Sequence, residues 1–156
     1  LESLSRQFGV SRYIVDREVL RIRAEPEAPA VPELKASDLV SAGILEVRDL
    51  SSPRELEELV RFAGAVDDGE ASVCALAVVH GGAVATDDRK VLRLLREEDL
   101  GIEVLQTPEL LHEWSVRASK SDAEVGRVLR SIEVKARFIP RRDAPYFDWW
   151  MVRRER

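Results

Sequence analysis

The sequence predicts an α/β fold with a mostly parallel sheet wrapped by helices. Short apolar runs alternate along the chain with longer segments whose apolar residues recur at helical spacing, and this alternation is typical of strand–helix–strand units. The chain has 156 residues, 45% of them hydrophobic, so it is long enough to bury a core.

Four strands are predicted from runs of apolar and β-branched residues. They cover residues 10–15, 44–50, 83–86 and 102–105. Between the first two strands, the segment 24–32 holds three prolines and two glutamates, which predicts a loop.

Eight helical segments are predicted from the spacing of apolar residues and from residues that begin or end helices. They cover residues 1–8, 17–22, 34–42, 51–63, 67–79, 89–98, 107–114 and 122–134. Asp16 is the predicted N-cap of the second helix, and Ser52 with Pro53 opens the fourth. The predicted helix stops are Gly9, Gly43, Gly81 and Gly101. Residues 71–79 are apolar nearly all round, which predicts a buried helix.

Charge and cysteine content exclude several classes of protein. The formal net charge is −5 with both signs interspersed, which argues against binding nucleic acid by bulk charge alone. An enzyme that cuts nucleic acid is not excluded, because a metal site must itself be acidic. The single cysteine, Cys74, excludes an internal disulfide framework and a cysteine-rich zinc site, and it predicts a cytoplasmic protein. We expect no membrane association, since no apolar run approaches the ~20 residues that span a bilayer.

Acidic side chains follow the predicted strands where a ligand would bind. Asp87 and Asp88 come directly after the strand 83–86, and Glu70 lies at the start of the preceding helix. Glu18 lies in the helix after the first strand. Ligands of parallel α/β sheets bind outside the carboxyl ends of the strands, so these four carboxylates are expected to converge. Their mutual repulsion would be relieved by Mg²⁺ or Mn²⁺, which can activate water to hydrolyse a phosphodiester.

Each of these carboxylates also has a structural interpretation. Asp87 or Asp88 can be the N-cap of the following helix. Glu70 is favoured near a helix N-terminus by the helix dipole whatever its function. Glu18 can be a surface charge beside Arg17. The residues alone leave both interpretations open.

The order of these motifs resembles the second half of a PIN domain. The resemblance is carried by Asp68-Gly69-Glu70-Ala71, by Val84-Ala85-Thr86-Asp87-Asp88-Arg89-Lys90 and by the later Gly101-Ile102 and Thr107. It covers roughly residues 1–114, and the spacing of the first two motifs is its most specific part. It implies a three-layer α/β/α fold with acidic residues around Mg²⁺ or Mn²⁺. Many PIN domains are endoribonucleases, including the VapC toxins, so the resemblance further implies an RNA substrate, an antitoxin partner and a homodimer.

The family's site residues carry over to particular positions of this sequence. Glu18, Glu70 and Asp88 would be acidic metal ligands, with Asp87 as an alternative or addition to Asp88. Thr86 would supply the hydroxyl that orients a carboxylate or a metal-bound water.

The sequence departs from the family at its N-terminus. The family's first strand ends in an acidic residue, whereas Glu2 lies in a helical pattern here. We expect the corresponding strand to precede Leu1. The predicted domains are therefore a PIN-like domain over 1–119 and a helical, basic and aromatic extension over 120–156.

Further residues are candidates for contacts with nucleic acid. Arg89 and Lys90 follow the acidic strand end and can either touch substrate phosphate or lie on a solvated helix face. In the tail, a set of basic and aromatic residues can stack on RNA and neutralise it, or can equally anchor the tail or form a subunit contact. The tail candidates are Arg141, Arg142, Trp149 and Trp150. His80 and His112 are expected to be structural or surface residues, and Cys74 a core residue.

Two functions from different classes remain. One is a metal-dependent ribonuclease of PIN type. The other is a catalytically inactive PIN-like module that binds protein or nucleic acid.

Overall fold

The computed structural model describes residues 4, 6–17, 19–20 and 34–156. Within that part of the chain the fold is mixed α/β, with eight helices and short strands, which confirms the α/β part of the prediction. Glu18 and the predicted loop over 24–32 lie outside the described residues.

The elements follow one another in a strand–helix order over most of the chain. In sequence they are β1 (Gly9–Ser11), α1 (Arg12–Arg17), β2 (Val19–Leu20), β3 (Leu34–Lys35), α2 (Ala36–Ser41), β4 (Glu46–Arg48), α3 (Pro53–Ala63), α4 (Asp68–His80), β5 (Ala83–Ala85), α5 (Arg89–Glu97), β6 (Glu103–Leu105), α6 (Thr107–Arg117), α7 (Asp122–Lys135) and α8 (Phe147–Arg154).

Contacts divide these elements into two compact units. The α/β unit comprises the described residues 7–17 and 36–105. The helical unit comprises residues 106–156 with the described residues 4, 6, 19–20 and 34–35. The predicted domain boundary at residue 119 stays a prediction.

Both strand pairs of the α/β unit are parallel, as the sequence predicts. β1 pairs with β4 in a register that places Val10 opposite Val47, and β5 pairs with β6 with Val84 opposite Val104. The described strands form these two separate pairs rather than one sheet. In the helical unit, β2 and β3 make a two-residue antiparallel pair.

Helix α4 forms the centre of the core of the α/β unit. Ala71, Cys74 and Ala75 are completely buried, and they pack with Phe62 of α3 and Val84 of β5. The prediction that this helix is buried is therefore confirmed. Burial also raises the pKa of the Cys74 thiol to about 11, so this cysteine stays protonated and acts as a small core residue, as predicted.

The N-terminal elements differ from the prediction. Gly9 opens β1 instead of ending a helix, and the strand stops at Ser11. The Ser11 hydroxyl accepts a hydrogen bond from the Ile14 amide at 3.3 Å, so α1 begins at Arg12. Asp16 therefore lies inside α1 rather than capping a later helix, and the segment predicted as that helix contains β2. The predicted strand over 10–15 is wrong beyond Ser11.

Helix α3 begins with a complete capping box, as its predicted start implies. The Ser52 hydroxyl accepts from the Glu55 amide, and the Glu55 carboxylate accepts from the amides of Ser51 and Ser52 at 2.7 and 2.6 Å. His80, at the end of α4, contacts the other carboxylate oxygen at 2.5 Å. The predicted structural role of His80 is thus confirmed.

Because of this network, the stability of the α/β unit is expected to fall at acid pH. The Ser52 amide, then His80 and the Ser51 amide, lower the pKa of Glu55 to about 2 from the ordinary 4.5. The bonds favour the ionised form, so their stabilisation is complete above pH 4.5 and is lost as the pH falls towards 2. We expect the melting temperature of Glu55→Gln to vary less than that of the wild type between pH 4.5 and 2. Circular dichroism melts measure this, with the exposed Glu57→Gln on the same helix as control.

The helical unit is built on α7 and α8. Leu129 and Trp150 are completely buried, and the Trp150 indole N–H donates to Glu133 at 2.8 Å. Gly126 allows the close approach of these helices, because a Cβ there would lie 2.7 Å from the carbonyl oxygen of Arg153. Helix α8 was not predicted from the sequence.

Candidate metal centre at the end of β5

The chain turns sharply between β5 and α5, and this turn presents the acidic motif. The Thr86 amide donates to the carbonyl oxygen of Leu105 at 3.0 Å, which extends the pairing of β5 with β6 by one residue. The Thr86 hydroxyl accepts from the Asp88 amide at 3.0 Å. Thr86 therefore orients the backbone of Asp88, and the role that the resemblance implies for its hydroxyl, orienting a carboxylate or a metal-bound water, stays a prediction.

Asp88 is the N-cap of α5, and one of its oxygens is sufficient for that role. Oδ1 accepts from the amides of Lys90 and Val91 at 2.7 and 3.2 Å. Among the described residues, Oδ2 has no hydrogen-bond donor within reach. The structural interpretation of Asp88 is confirmed, yet the exposed side chain keeps one oxygen for a further ligand.

Glu70 faces this turn from the first turn of α4. Asp67 caps that helix by accepting from the Glu70 amide at 3.1 Å. The Glu70 side chain is half-buried and makes no hydrogen bond or ion pair with the described residues. It lines a cavity of about 120 Å³ together with Thr86 of the β5 turn.

The electrostatic environment of Glu70 is acidic. Burial raises the pKa of Glu70, and the negative charges of Asp88 and Asp67 raise it further. The Asp67 hydrogen bond and the Lys90 ammonium oppose this shift without cancelling it. Ionised Glu70 is therefore held in a site where a cation would stabilise it.

The described acidic residues do not by themselves complete a metal site. Among the described residues, no group of three His, Cys, Asp or Glu side chains is placed to hold a metal ion. Mg²⁺, however, usually binds through one or two carboxylates plus waters and substrate phosphate. Glu70 and the free oxygen of Asp88 are the candidates for such carboxylates.

The other predicted site residues differ in their environments. Asp87 is half-buried in the turn and has a polar interaction of its own. Glu18 lies outside the described residues. Arg89 is exposed at the start of α5, while Lys90 acts on Glu70 through its charge.

The tail candidates for nucleic-acid binding have different environments. Trp150 is completely buried, so the structure corrects its assignment: it anchors α8 and cannot stack on a base. Trp149 is half-buried and its ring meets His112 edge-on at 5.2 Å. Arg141 pairs with Asp143 at 2.6 Å, and Arg142 is exposed.

Two buried serine hydroxyls and a tyrosine near the site were not predicted from the sequence. The Ser72 hydroxyl lies 2.7 Å from that of Ser11 and 2.6 Å from the carbonyl oxygen of Gly69, and both serines are completely buried. The Tyr13 hydroxyl donates to Asp68 at 3.1 Å. These bonds tie β1 and α1 to the first turn of α4, where Glu70 lies. The only sequence feature that could have indicated them is that Ser11 and Ser72 each interrupt an apolar run.

No protein-family model matches this chain, and comparison with curated proteins and with solved structures finds no match either. No helix in the described part of the chain is long and apolar enough to cross a membrane. What the chain does must therefore be inferred from the geometry of its own residues.

Proposed function

We propose that this chain is a ribonuclease of PIN type that hydrolyses RNA phosphodiester bonds with the help of Mg²⁺ or Mn²⁺. One observation carries the proposal: the half-buried Glu70, whose side chain has no hydrogen bond or ion pair with the described residues, lines one cavity with Ala85 and Thr86 at the end of the strand that leads into Asp88. Like-charged carboxylates gathered in a cleft are costly for folding alone, and they are typical of sites that bind a cation.

Glu70 and Asp88 would hold the metal, with Asp87 and Glu18 as the predicted additional carboxylates. Bound there, the ion would lower the pKa of a water and stabilise charge on the phosphodiester. The chain's own contribution is to fix Asp88 through the α5 cap and to place the Lys90 ammonium where it can attract a substrate phosphate.

The same proposal includes the arrangement of the helices and strands in layers. We infer a three-layer α/β/α arrangement of PIN type. It is supported by two parallel strand pairs, β1–β4 and β5–β6, and by the burial of α4 in the core. An RNA substrate, an antitoxin and a homodimer follow as proposals from the resemblance.

Direct metal binding tests the proposal. Titration of Mn²⁺ into the wild-type chain, followed by calorimetry, is expected to give saturable binding in the micromolar to millimolar range. The double variant Glu70→Gln/Asp88→Asn is expected to lose it, because both proposed ligands lose their charge. Asn at position 88 retains an oxygen that can still cap α5, so the fold is expected to survive.

A non-catalytic interaction module is the second candidate function. It is favoured by the capping role of Asp88 and by the lack of a three-ligand acidic group among the described residues. It predicts no binding even at millimolar Mn²⁺, and a protein or RNA that copurifies with the chain.

A further inference from the structure

The helical unit contains a cavity of about 440 Å³, which is formed by α6, α7, α8 and the turn that joins α6 to α7. Every residue that lines it lies within 112–153, a range that the structure describes without a gap. Ser115 and Val125 are buried and form its base, whereas Val116 and Ser119 are exposed at its rim. A volume of this size is typical of sites for small organic ligands.

Two aromatic ring systems line this cavity. His112 of α6 and Trp149 of α8 are both half-buried, and their rings meet edge-on with centroids 5.2 Å apart. Tyr146 stacks on His112 with ring centroids 4.1 Å apart and so fixes the plane of the imidazole. A planar ligand in the cavity can therefore pack against rings that are already held in place.

Lys120 brings a positive charge to the cavity, and its acidic partner does not depend on it. The ammonium group bonds to Glu124 at 3.1 Å. That carboxylate also accepts hydrogen bonds from the amide and the hydroxyl of Ser121, at 3.0 and 2.7 Å. Lys120 can therefore turn to an anion in the cavity while Glu124 keeps its other hydrogen bonds.

Arg153 of α8 brings a second positive charge, and its acidic partner is likewise shared. The Arg153 guanidinium bonds to Asp122, which also lines the cavity. The Arg156 guanidinium bonds to the same carboxylate at 3.3 Å. Two positive charges thus share one negative charge. Because a guanidinium has five N–H donors, Arg153 can hold an anion in the cavity without releasing Asp122.

The segment around α8 is basic although the whole chain is acidic. Residues 137–156 contain six arginines and three acidic residues, whereas the formal net charge of the chain is −5. A concentration of arginine in one segment of an acidic protein is typical of a surface that meets a polyanion. The anion that enters the cavity is therefore expected to belong to a polyanion.

We propose that this cavity binds one nucleotide of a single-stranded RNA, with the base against His112 and Trp149 and the phosphate at Lys120 and Arg153. Rings and cations in one cavity match the planar base and the anionic phosphate of a nucleotide. A base inside a duplex cannot enter, because its faces are covered by the neighbouring base pairs. RNA is chosen as the polymer because this subsite rests on the proposed function, to which it adds a contact with the substrate in the helical unit.

Fluorescence anisotropy of a fluorescein-labelled hexa-adenylate RNA tests the proposal. The full 156-residue chain is used with EDTA, so that metal binding at Glu70 and cleavage contribute nothing to the signal. We expect saturable binding by the wild type. Trp149→Leu removes the indole ring and should weaken binding at least about tenfold, since stacking on an aromatic side chain contributes that much per base.

The phosphate contact is tested by a matched pair of charge changes. Lys120→Gln should weaken binding and should reduce the slope of log affinity against log salt concentration by about 0.7, the value for one lost phosphate contact on a single strand. Arg127→Gln changes the net charge equally, but Arg127 is exposed on α7 and does not line the cavity. This control should bind RNA as the wild type does.

AMP shares the chemistry of one RNA unit, so it separates the two sources of a nucleotide. Millimolar AMP should displace the labelled RNA because it can fill the same cavity. It should nevertheless bind at least about tenfold more weakly than RNA, because only the polymer can make further contacts with the arginines of 137–156.

Four outcomes would overturn the proposal. One is the absence of saturable RNA binding at millimolar protein. The second is equal affinity for a blunt GC-rich RNA duplex, and the third is an equal loss in the Lys120 and Arg127 variants; both would indicate attraction by bulk charge. The fourth is AMP that binds as tightly as RNA, which would assign the cavity to a free nucleotide. The duplex comparison uses the wild type, so it stays decisive if the Trp149 variant fails to fold.

Failure of this subsite and failure of the proposed metal centre are distinguishable. Calorimetry measures Mn²⁺ binding without RNA, and anisotropy measures RNA binding without metal. Mn²⁺ binding without RNA binding would overturn the nucleotide subsite alone. RNA binding by a chain that binds no Mn²⁺ would overturn the metal centre alone.

Discussion

Replacement of Glu70 by Gln is expected to reduce Mn²⁺-dependent RNA cleavage by at least about 100-fold. Even residues that only support metal ligands typically contribute 10–100-fold to metal affinity or activity, and Glu70 is proposed to bind the metal itself. The same substitution is expected to raise the melting temperature at pH 7 in the absence of metal.

The second effect follows from the direction of the pKa shift. Burial, Asp88 and Asp67 raise the pKa of Glu70 above its ordinary 4.5. The folded chain thus favours the protonated form of Glu70, so the contribution of this residue to stability is greatest below pH 4.5 and declines as the pH rises through its folded pKa. Gln carries no charge at any pH and removes this cost. Loss of activity with a gain in stability is the behaviour of a functional residue rather than a structural one.

Cleavage of a labelled single-stranded RNA and circular dichroism melts measure the two effects. Glu97→Gln is a matched control, because Glu97 is exposed on α5 and only approaches Arg93 at 3.9 Å. The control should change neither quantity. Full RNA cleavage by the Glu70 variant would contradict the assignment.

Replacement of Trp150 by Ala is expected to destabilise the helical unit by about 3–5 kcal/mol, the usual cost of truncating a large buried aromatic side chain. Trp150 is completely buried, packs edge-on against Phe138 at 5.6 Å and lies in one cluster with Leu129. Its indole N–H also bonds to Glu133. Glu133 keeps Arg154 as a partner at 3.1 Å, so the predicted loss is mainly one of packing.

Urea denaturation followed by circular dichroism measures this loss. Trp149→Ala is the comparison, because Trp149 is half-buried and should cost clearly less. Equal effects of the two substitutions would contradict the role of Trp150 as the anchor of α8.

The central elements of the fold were predictable because local residues define them. Ser52, Asp67 and Asp88 each cap the helix that follows, and Gly81 ends α4 with a φ of 76°. Such boundaries need no knowledge of the rest of the chain.

The remaining elements depend on tertiary contacts. The predicted N-cap was Asp16, but the Ser11 hydroxyl, buried against Ser72, accepts from the Ile14 amide at the start of α1 instead. Helix α8 has no side-chain cap and begins after Tyr146 at a φ of 58°, so its start is fixed by the packing of Trp150. Neither signal is visible in a local pattern.

The residues of the candidate site were predictable from the sequence, but their detailed geometry was not. The position of Asp88 after a strand and that of Glu70 at a helix start indicated that they would lie near one another, and Glu70 does line one cavity with Ala85 and Thr86 at the strand end. One carboxylate oxygen of Asp88 caps α5 and the other stays free, and this arrangement depends on the geometry of the turn at Thr86. Sequence spacing alone contains no information about that geometry.

Mn²⁺ titration calorimetry tests most directly whether Glu70 and Asp88 form a metal centre. We predict saturable binding to the wild-type chain, retention of that binding in Glu97→Gln, and its loss in Glu70→Gln/Asp88→Asn with an unchanged circular dichroism spectrum. Equal binding by the wild type and the double variant, or no binding by the wild type at millimolar Mn²⁺, would contradict it.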